Sequence, residues 1–477
     1  MKHSFFSVVL VLLLLGACSV GPNYRHPKVA TPEQWSTPLA GGEMHGPASL
    51  TAWWKNFHDA ELNALVTRAV SANLDLKIAE ARVCEVRAQY RIALANFGPT
   101  VDSGAFAGRT RLSRNVADNV RVPPTLPIQS IDVPMENEAY LTGFQASWEL
   151  DVFGGNRRGA EAGKAEVGAA EFGRRNALVI LLAEVGRNYV ELRGGQRRLE
   201  IANKNIKAQQ EALEIARDRF KNGLTSDLDV QQSAALLATT QAEVPRLESF
   251  IQSSINRLDV LLGQQPGTLT AEISTPSRIP AAPPKVPVGL PSELLCRRPD
   301  VRQAERQLAA ANARIGVATA DLFPKFSLTG AGGYLSVSTD DWFSKGSQFW
   351  ALGPTVQWRI FDSGKIRANI RVQNAREEQA LAAYEKVMLT AFEEVENALV
   401  AYAKEQVRRR SLSDAVKASQ DSLHLANQLY AKGLANFINV LDAERSLYQT
   451  EDALAQSDKA VTQNLIALYK ALGGGWE

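Results

Sequence analysis

The sequence has few cysteines, few histidines and no excess of charge of either sign. Its 477 residues include three Cys and five His, and it contains no phosphate-binding loop, nucleophile elbow or paired-cysteine zinc motif. We therefore expect neither an enzyme nor a metal site. With 53 basic and 51 acidic residues, the net charge is +2 at pH 7. This balance shows no bias towards polyanions and argues against nucleic acid as a partner.

Continuous apolar runs are also absent beyond the N-terminus. There, residues 5–15 form an apolar stretch that is too short for a stable membrane span, which is typical of a signal peptide. The stretch leads into LGAC, which resembles the lipobox of bacterial lipoproteins. An ordinary signal peptide with an incidental cysteine is the alternative. We predict a lipoprotein signal peptide over residues 1–17, a covalent lipid on Cys18 with no other cofactor, and a lipidated, extended N-terminal segment over residues 18–59.

Two stretches of the chain repeat each other at an offset of 210 positions. Each has a glycine where a helix would end, followed by a second helix with periodic apolar residues. Apolar residues recur at every seventh position on both sides of each turn, as in a left-handed coiled coil. An ordinary long coiled coil has the same periodicity, but the duplication favours one helical hairpin used twice. The equivalent positions are Gly223 and Gly433, Leu224 and Leu434, Val230 and Val440, and Gly263 and Gly473. The predicted hairpins cover residues 156–262, with a tip near 223, and residues 365–472, with a tip near 433.

Amphipathic strands are predicted before each hairpin. Trp350, Leu352 and Val356 alternate with small or polar residues, and Phe144 and Trp148 do the same in the first half. A membrane barrel strand needs this alternation, although a half-buried soluble sheet would show it as well. The predicted strands lie at about residues 100–112, 140–151, 325–337 and 349–361.

The helices that open the two halves are related by a second offset, of 225 positions. The first is predicted as one helical run over residues 60–96, and Asp75 in it is equivalent to Asp300. Cys84 lies in this run, whereas Cys296 precedes the second helix. These places are not equivalent, which favours buried free thiols over a disulfide.

The predicted organisation is a first repeat over residues 60–263, a Pro-rich connector over residues 264–291 and a second repeat over residues 292–473. Each repeat has the order helix, two strands, long helix, turn, helix. Four strands cannot close a barrel, and open edges are not tolerated in hydrocarbon. Closure therefore requires further copies, with eight strands from a dimer or twelve from a trimer. The predicted fold is mainly α with a membrane β-barrel, internally duplicated.

Several segments of the chain resemble TolC-type outer membrane factors, in the lipoprotein branch often called the NodT or OprM type. They occur in the family's order over essentially the whole mature chain. The resemblance implies a homotrimer with a twelve-stranded barrel and a long α-helical coiled-coil tunnel. It also implies docking on a periplasmic adaptor and an inner-membrane efflux pump. Besides the two hairpin tips, the segments are CSVGPNY from Cys18, WWKNF from Trp53, NLDLKIA from Asn73, WELDVFG from Trp148 and RRPDVR from Arg297.

The resemblance also implies where the functional residues lie. Family members commonly carry acidic residues six and nine positions after the second-tip glycine, as rings on a three-fold axis. Here these positions are Asn439 and Asp442, so only Asp442 matches. A basic latch residue of some relatives is replaced by Ala435. Aspartates that are solvated or paired with neighbouring helices are the alternative to these rings, and simple turn geometry of the tip residues is equally compatible with the sequence. The predicted gate and selectivity residues are Asp442, Asn439, Asp229 and Asp227, and the predicted adaptor contacts are Gly223, Leu224, Thr225, Gly433, Leu434 and Ala435.

The resulting functional prediction is the outer membrane channel of a tripartite efflux system in a Gram-negative bacterium. It would pass drugs or other toxic small molecules and contact outer membrane lipid. A serine directly after the cysteine, here Ser19 after Cys18, resembles the sequence of lipoproteins that are sorted to the outer membrane. One alternative is the outer membrane duct of a type I protein-secretion system. Others are a lipidated periplasmic coiled-coil adaptor and a tether without a pore, but adaptors lack paired amphipathic strands.

Overall fold

The structure, a computed structural model, describes residues 19–27, 32–37, 43–44, 50–111, 113, 136–283, 286–289 and 291–476. The predicted signal peptide over 1–17 and the predicted lipidation site Cys18 lie outside these residues. The described residues fall into two compact units. The sheet unit lies within Met1–Arg25, Val86–Val167 and Gln307–Ala380. The hairpin unit lies within His26–Glu85, Gly168–Arg306 and Leu381–Glu477.

The order of elements repeats along the chain. The two longest helices, α3 and α8, have 67 residues each, and the helices that follow them, α4 and α9, have 35 residues each. This equality confirms the internal duplication. The helices are α1 (Ala60–Ala72), α2 (Leu74–Ala95), α3 (Gly155–Lys221), α4 (Asp227–Leu261), α5 (Thr270–Ile273), α6 (Pro291–Arg297), α7 (Pro299–Ala320), α8 (Lys365–Ala431) and α9 (Phe437–Ala471). The strands are β1 (Glu43–Met44), β2 (Thr100–Arg111), β3 (Glu136–Leu150), β4 (Val286–Pro287), β5 (Lys325–Ser336) and β6 (Gln348–Gln357). Among the described helices, none is long and apolar enough to cross a membrane.

The sheet unit contains one antiparallel sheet with the strand order β2-β3-β5-β6. Its register places Phe144 opposite Gly332, and Gly332 opposite Trp350. Residues directly opposite one another lie on the same face. One face therefore carries Phe144, Trp148, Trp350 and Leu352, while the other carries mainly small and polar side chains. The alternation predicted from the sequence is confirmed by this register.

The last strand is shorter at its C-terminal end than the sequence predicts. The alternation predicts a strand that continues to residue 361, but β6 ends at Gln357. The next residue, Trp358, donates its indole N–H to the carbonyl oxygen of Leu322 at 3.1 Å. The chain then turns into α8 through Gly364, which has φ of +83°. Period-two alternation continues through Ile360, so the sequence pattern could not show where pairing stops.

The predicted helical run over residues 60–96 is also wrong, because the chain breaks at Asn73 into α1 and α2. The Asn73 side chain accepts a hydrogen bond from the backbone N–H of Leu76 at 2.9 Å and donates one to the carbonyl of Leu261 at 2.9 Å. Asparagine favours the position before a helix because its side chain satisfies a free N–H group there. The break therefore ties the start of α2 to the end of α4.

A large apolar core lies in the hairpin unit. Trp53, in a short 3-10 helix over Trp53–Phe57, is buried and stacks on Tyr469 with ring centroids 5.4 Å apart. The Pro-rich connector contributes to the same core through Leu269 and Val286. Buried Asp259 holds the connector, since its carboxylate accepts hydrogen bonds from the backbone N–H groups of residues 267 and 269.

Cys84 is a free thiol, but the expectation that it is buried is wrong. It is exposed on α2, whose buried residues are Leu76 and Val83. Neighbouring positions on a helix point in different directions, so Cys84 turns away from the face that buries Val83. The side chain of Cys296 lies outside the part of the chain that the structure describes.

Candidate functional site: the two hairpin tips

Each hairpin tip is a tight turn closed by a glycine. In the first, the backbone N–H of Leu224 donates to the carbonyl of Arg219 at 2.9 Å, and the N–H of Gly223 donates to the carbonyl of Phe220 at 2.9 Å. This pair of bonds is the Schellman motif, which requires a left-handed residue. Gly223 accordingly has φ of +70°. A Cβ added to it would meet nothing within 4 Å, so the backbone angle alone requires glycine.

The second tip has the same geometry. Gly433 has φ of +72°, and the N–H of Leu434 donates to the carbonyl of Leu429 at 2.9 Å. Leu224 and Leu434, which follow the glycines, are each 72% exposed. Thr225 and Ala435 are half-buried at the next position. The six predicted contact residues therefore form two equivalent turns, and each turn presents a leucine to solvent.

The two tips pack against each other through a small apolar cluster, which we call the tip cluster. Its aromatic centre is Phe437, whose ring centroid lies 5.0 Å from that of Tyr430. The guanidinium of Arg219, from the first hairpin, lies 4.2 Å from the centroid of the Tyr430 ring. These contacts fix the relative position of the tips within the hairpin unit. The buried members of the cluster are Ala212, Leu213, Ala216, Val230, Phe437, Val440 and Leu441.

The predicted gate residues of the second tip differ in their surroundings. Asp442 is exposed on α9 and accepts a hydrogen bond from Arg445, one turn further along the same helix. Asn439 is also exposed, and its backbone N–H donates to the carbonyl of Asn436 at 3.1 Å. Asp442 is therefore a partly compensated surface charge within its own chain.

The predicted gate residues of the first tip lie in the first turn of α4. Thr225 donates its hydroxyl hydrogen to the carboxylate of Asp229, and Gln231 donates to Asp227 at 3.4 Å. A carboxylate at the start of a helix is stabilised by the free N–H groups and the helix dipole. Asp227 and Asp229 thus have a local structural role, whatever they contribute to a channel.

Sequence analysis missed one residue of the second tip, Glu444. It is only 7% exposed, and one of its carboxylate oxygens has no hydrogen-bond partner among the described residues. Burial raises the pKa of Glu444 to about 7. It lies at a cavity of about 410 Å³ lined by residues of α3, α8 and α9. The 210-position offset could have revealed it, because the equivalent position of the first hairpin is Ala234.

Comparison with known proteins gives these tips a context. A family model for outer membrane efflux proteins matches residues 65–264 and 290–474. The solvent efflux pump outer membrane protein SrpC of Pseudomonas putida is 35% identical over 478 aligned positions, covering 98% of this chain and 97% of the relative. Outer membrane protein OprJ of Pseudomonas aeruginosa is 33% identical over 473 positions, covering 99% and 96%. The solved structure of the outer-membrane channel OprN has a TM-score of 0.87 at 37% identity, covering 96% of this chain and all of that one.

These matches extend over nearly the entire chain and agree in family and in fold. They favour the predicted channel over a coiled-coil adaptor or a tether, since the relatives are outer membrane proteins. The chain belongs to the outer membrane efflux protein family and is an outer membrane channel component of an efflux system.

Proposed function

We propose that three copies of the chain close into one duct that carries small molecules across the outer membrane. A periplasmic adaptor and an inner-membrane pump would deliver the cargo to the hairpin tips. The observation that carries this proposal is the open four-stranded sheet with one apolar and one polar face. The lipid on Cys18 would add a tether to the membrane.

The edges of the sheet support assembly. β2 and β6 are its outermost strands, and no described strand pairs with their outer edges. Unpaired backbone groups are not tolerated in hydrocarbon, so the sheet must continue into another copy. Three successive antiparallel pairings leave β6 antiparallel to β2. β6 of one copy can therefore pair with β2 of the next, and three copies give twelve strands.

The two faces of the sheet support a pore. Trp350 is 83% exposed in a single chain, and Phe144 and Leu352 on the same face are exposed as well. Such side chains suit contact with lipid, whereas Gln145, Thr355 and the other small or polar residues of the opposite face suit a water-filled lumen. A soluble protein would leave this apolar face in water at a large cost.

The hairpin tips support docking of an adaptor. Leu224 and Leu434 are apolar, exposed and held in fixed turns, and the tip cluster joins the two turns. A rigid pair of apolar projections needs little ordering when it binds, which favours recognition by another protein. The relative SrpC is described as the outer membrane protein of a solvent efflux pump. This description supports small molecules as the class of cargo.

Ion conductance of the purified protein in planar bilayers tests the duct and its proposed selectivity residue together. Asp442→Asn should weaken cation selectivity, because it removes a carboxylate from the tip. Arg445→Gln should strengthen cation selectivity, because it removes the cation that compensates Asp442. Asp414→Asn is the matched control, because Asp414 is exposed on α8 well before the tip. This variant should leave the cation selectivity unchanged.

Three results would contradict parts of the proposal. Equal selectivity in the Asp442 and Arg445 variants would keep the channel but remove Asp442 from the selectivity site. Native mass spectrometry that finds only monomers or dimers would refute the trimer. A trimer that conducts nothing, even after its adaptor is added, would refute the duct.

A further inference from the structure

We propose that Glu444 is a proton-operated switch in the seam between the two hairpins near their tips. Protonated Glu444 would keep the seam packed, and loss of the proton would loosen it. The hairpin seam is defined here as the region where Gln209 of α3, Leu423 of α8 and Glu444 of α9 meet around the cavity of about 410 Å³.

The first support is the absence of a partner for the carboxylate. Glu444 is 7% exposed, and its Oε2 atom has no hydrogen bond within the described part of the chain. Gln209 is 2% exposed, and its amide nitrogen and oxygen are likewise without partners there. A buried carboxylate without a donor or a cation is costly in its charged form, but the neutral acid is far less so.

The charged groups that line the same cavity are engaged elsewhere. Lys204 of α3 lies 3.5 Å from Glu451 of α9, and Asn205 donates to the same carboxylate at 3.3 Å. His424 of α8 hydrogen-bonds with Gln428 at 2.9 Å. None of these groups forms a described ion pair with Glu444. The other charged groups at the cavity therefore have partners of their own, and none of them compensates the carboxylate of Glu444.

The internal repeat shows that the seam does not need a carboxylate at this position. Shifting Glu444 back by 210 positions gives Ala234, which packs against the tip cluster. The corresponding position of the first hairpin is thus occupied by a small apolar side chain. A buried glutamate without a partner therefore gives the second hairpin a dependence on protonation that the first hairpin lacks at the equivalent position.

The sign of the pH effect follows from the direction of the pKa shift. Burial raises the pKa of Glu444 from 4.5 to about 7, so the packed seam binds the proton more tightly than an open one. Below about pH 4.5 both states are protonated and no penalty exists. Between about pH 4.5 and pH 7 the loosened seam is ionised while the packed seam keeps its proton, so each rise in pH favours the loosened seam, and the shift is complete above about pH 7. The shift corresponds to an equilibrium constant that moves by up to roughly 300-fold in favour of the loosened seam.

The switch is connected to the tips by the helix that carries it. Val440 and Leu441 of the tip cluster lie four and three positions before Glu444 on α9, respectively. Residues at this spacing are neighbours on one face of a helix. A movement that brings the carboxylate to water would therefore disturb the contact between the two tips.

Amide hydrogen exchange on the full-length protein in detergent tests the switch without requiring a conducting pore. Exchange in residues 204–212 and 440–451 is measured between about pH 5 and pH 8. Each rate is corrected for the pH dependence of the intrinsic exchange rate of an unprotected amide. We expect protection to fall between about pH 5 and pH 7 in the unmodified protein and to change little above pH 7. Glu444→Gln, which mimics the neutral acid, should keep protection at every pH.

Two further variants complete the test. Glu451→Gln removes a carboxylate that already has partners and should retain the pH dependence. Glu444→Met fills a similar space without a titrating group, so it should also keep protection at every pH. It decides the test if Glu444→Gln packs poorly. Unchanged pH dependence in both Glu444 variants, or no pH dependence in the unmodified protein, would overturn the proposal. Because this readout does not involve conductance, its failure is distinct from failure of the duct.

Discussion

Arg298 offers the sharpest test of how the hairpin unit is held together. Its side chain is buried, and its guanidinium donates two hydrogen bonds to Asp300, at 3.0 and 2.6 Å. It donates two more, to Glu394 at 2.6 Å and to the carbonyl of Ala471 at 2.9 Å. One side chain thus connects the start of α7, the middle of α8 and the last residue of α9.

The expected cost of Arg298→Met follows from what each partner loses. Breaking a buried ion pair costs about 3–5 kcal/mol when the remaining charge stays buried. Here the side chains of Asp300 and Glu394 are 26% and 42% exposed, so water can replace part of what they lose. Methionine also fills most of the vacated volume. We therefore expect the free energy of unfolding to fall by about 2–4 kcal/mol.

Urea unfolding of the purified protein in detergent, followed by the helical circular dichroism signal, measures this change. Arg246→Met is the matched control, because Arg246 pairs with Glu243 on the surface and both side chains are exposed. Such pairs contribute about 0–1 kcal/mol. If the Arg298 and Arg246 variants lose equal stability, the guanidinium network does not hold the three helices together.

Two further pairs of variants are expected to differ, the glycine pair in the sign of its effect on stability and the tyrosine pair in the size of that effect. Gly433→Ala should destabilise the second tip by about 1–2 kcal/mol, because its positive φ strains any Cβ, whereas Gly159→Ala, inside α3 with open space around it, should stabilise the helix by about 0.5–1 kcal/mol. Thermal unfolding compares the two, and equal shifts would contradict the backbone argument. Tyr189→Phe should cost about 1–2 kcal/mol, since the Tyr189 hydroxyl donates to the carboxylate of Asp59 at about 3.0 Å. Tyr430→Phe should change stability by less than about 0.5 kcal/mol, because its buried hydroxyl has no described partner; a larger loss would reveal one.

The repeated hairpins could be predicted because their signals are local. A glycine at the end of a helix and an apolar residue at every seventh position each report the conformation of a few neighbouring residues. Gly223 and Gly433 therefore mark both turns in the sequence alone. The alternation around Trp350 predicts the faces of the sheet for the same reason, since side-chain direction along a strand has a fixed period.

Other features depend on contacts between distant parts of the chain and could not be predicted. The break at Asn73 is stabilised by the carbonyl of Leu261, which lies 188 positions away. The end of β6 depends on the hydrogen bond from Trp358 to Leu322. At Glu444 the repeat shows only that a carboxylate stands where the first hairpin has Ala234, and the packing of α9 against α3 and α8 is needed to show that it is buried.

The duplication preserved the geometry of the hairpins while their tips diverged in chemistry. At the shared offset, Asp229 is equivalent to Asn439 and Gln232 is equivalent to Asp442, so each hairpin keeps one of the two acidic positions. The helix dipole and the hydrogen bond from Thr225 explain Asp229, which lies in the first turn of α4, but the first turn of α9 carries no acidic residue. Asp442 lies beyond that turn, and its partner Arg445 is exposed with it. Structural need therefore accounts for the acid of the first tip, whereas the acid of the second has only an exposed pair with Arg445, which makes the second tip the place where a selectivity residue is to be sought.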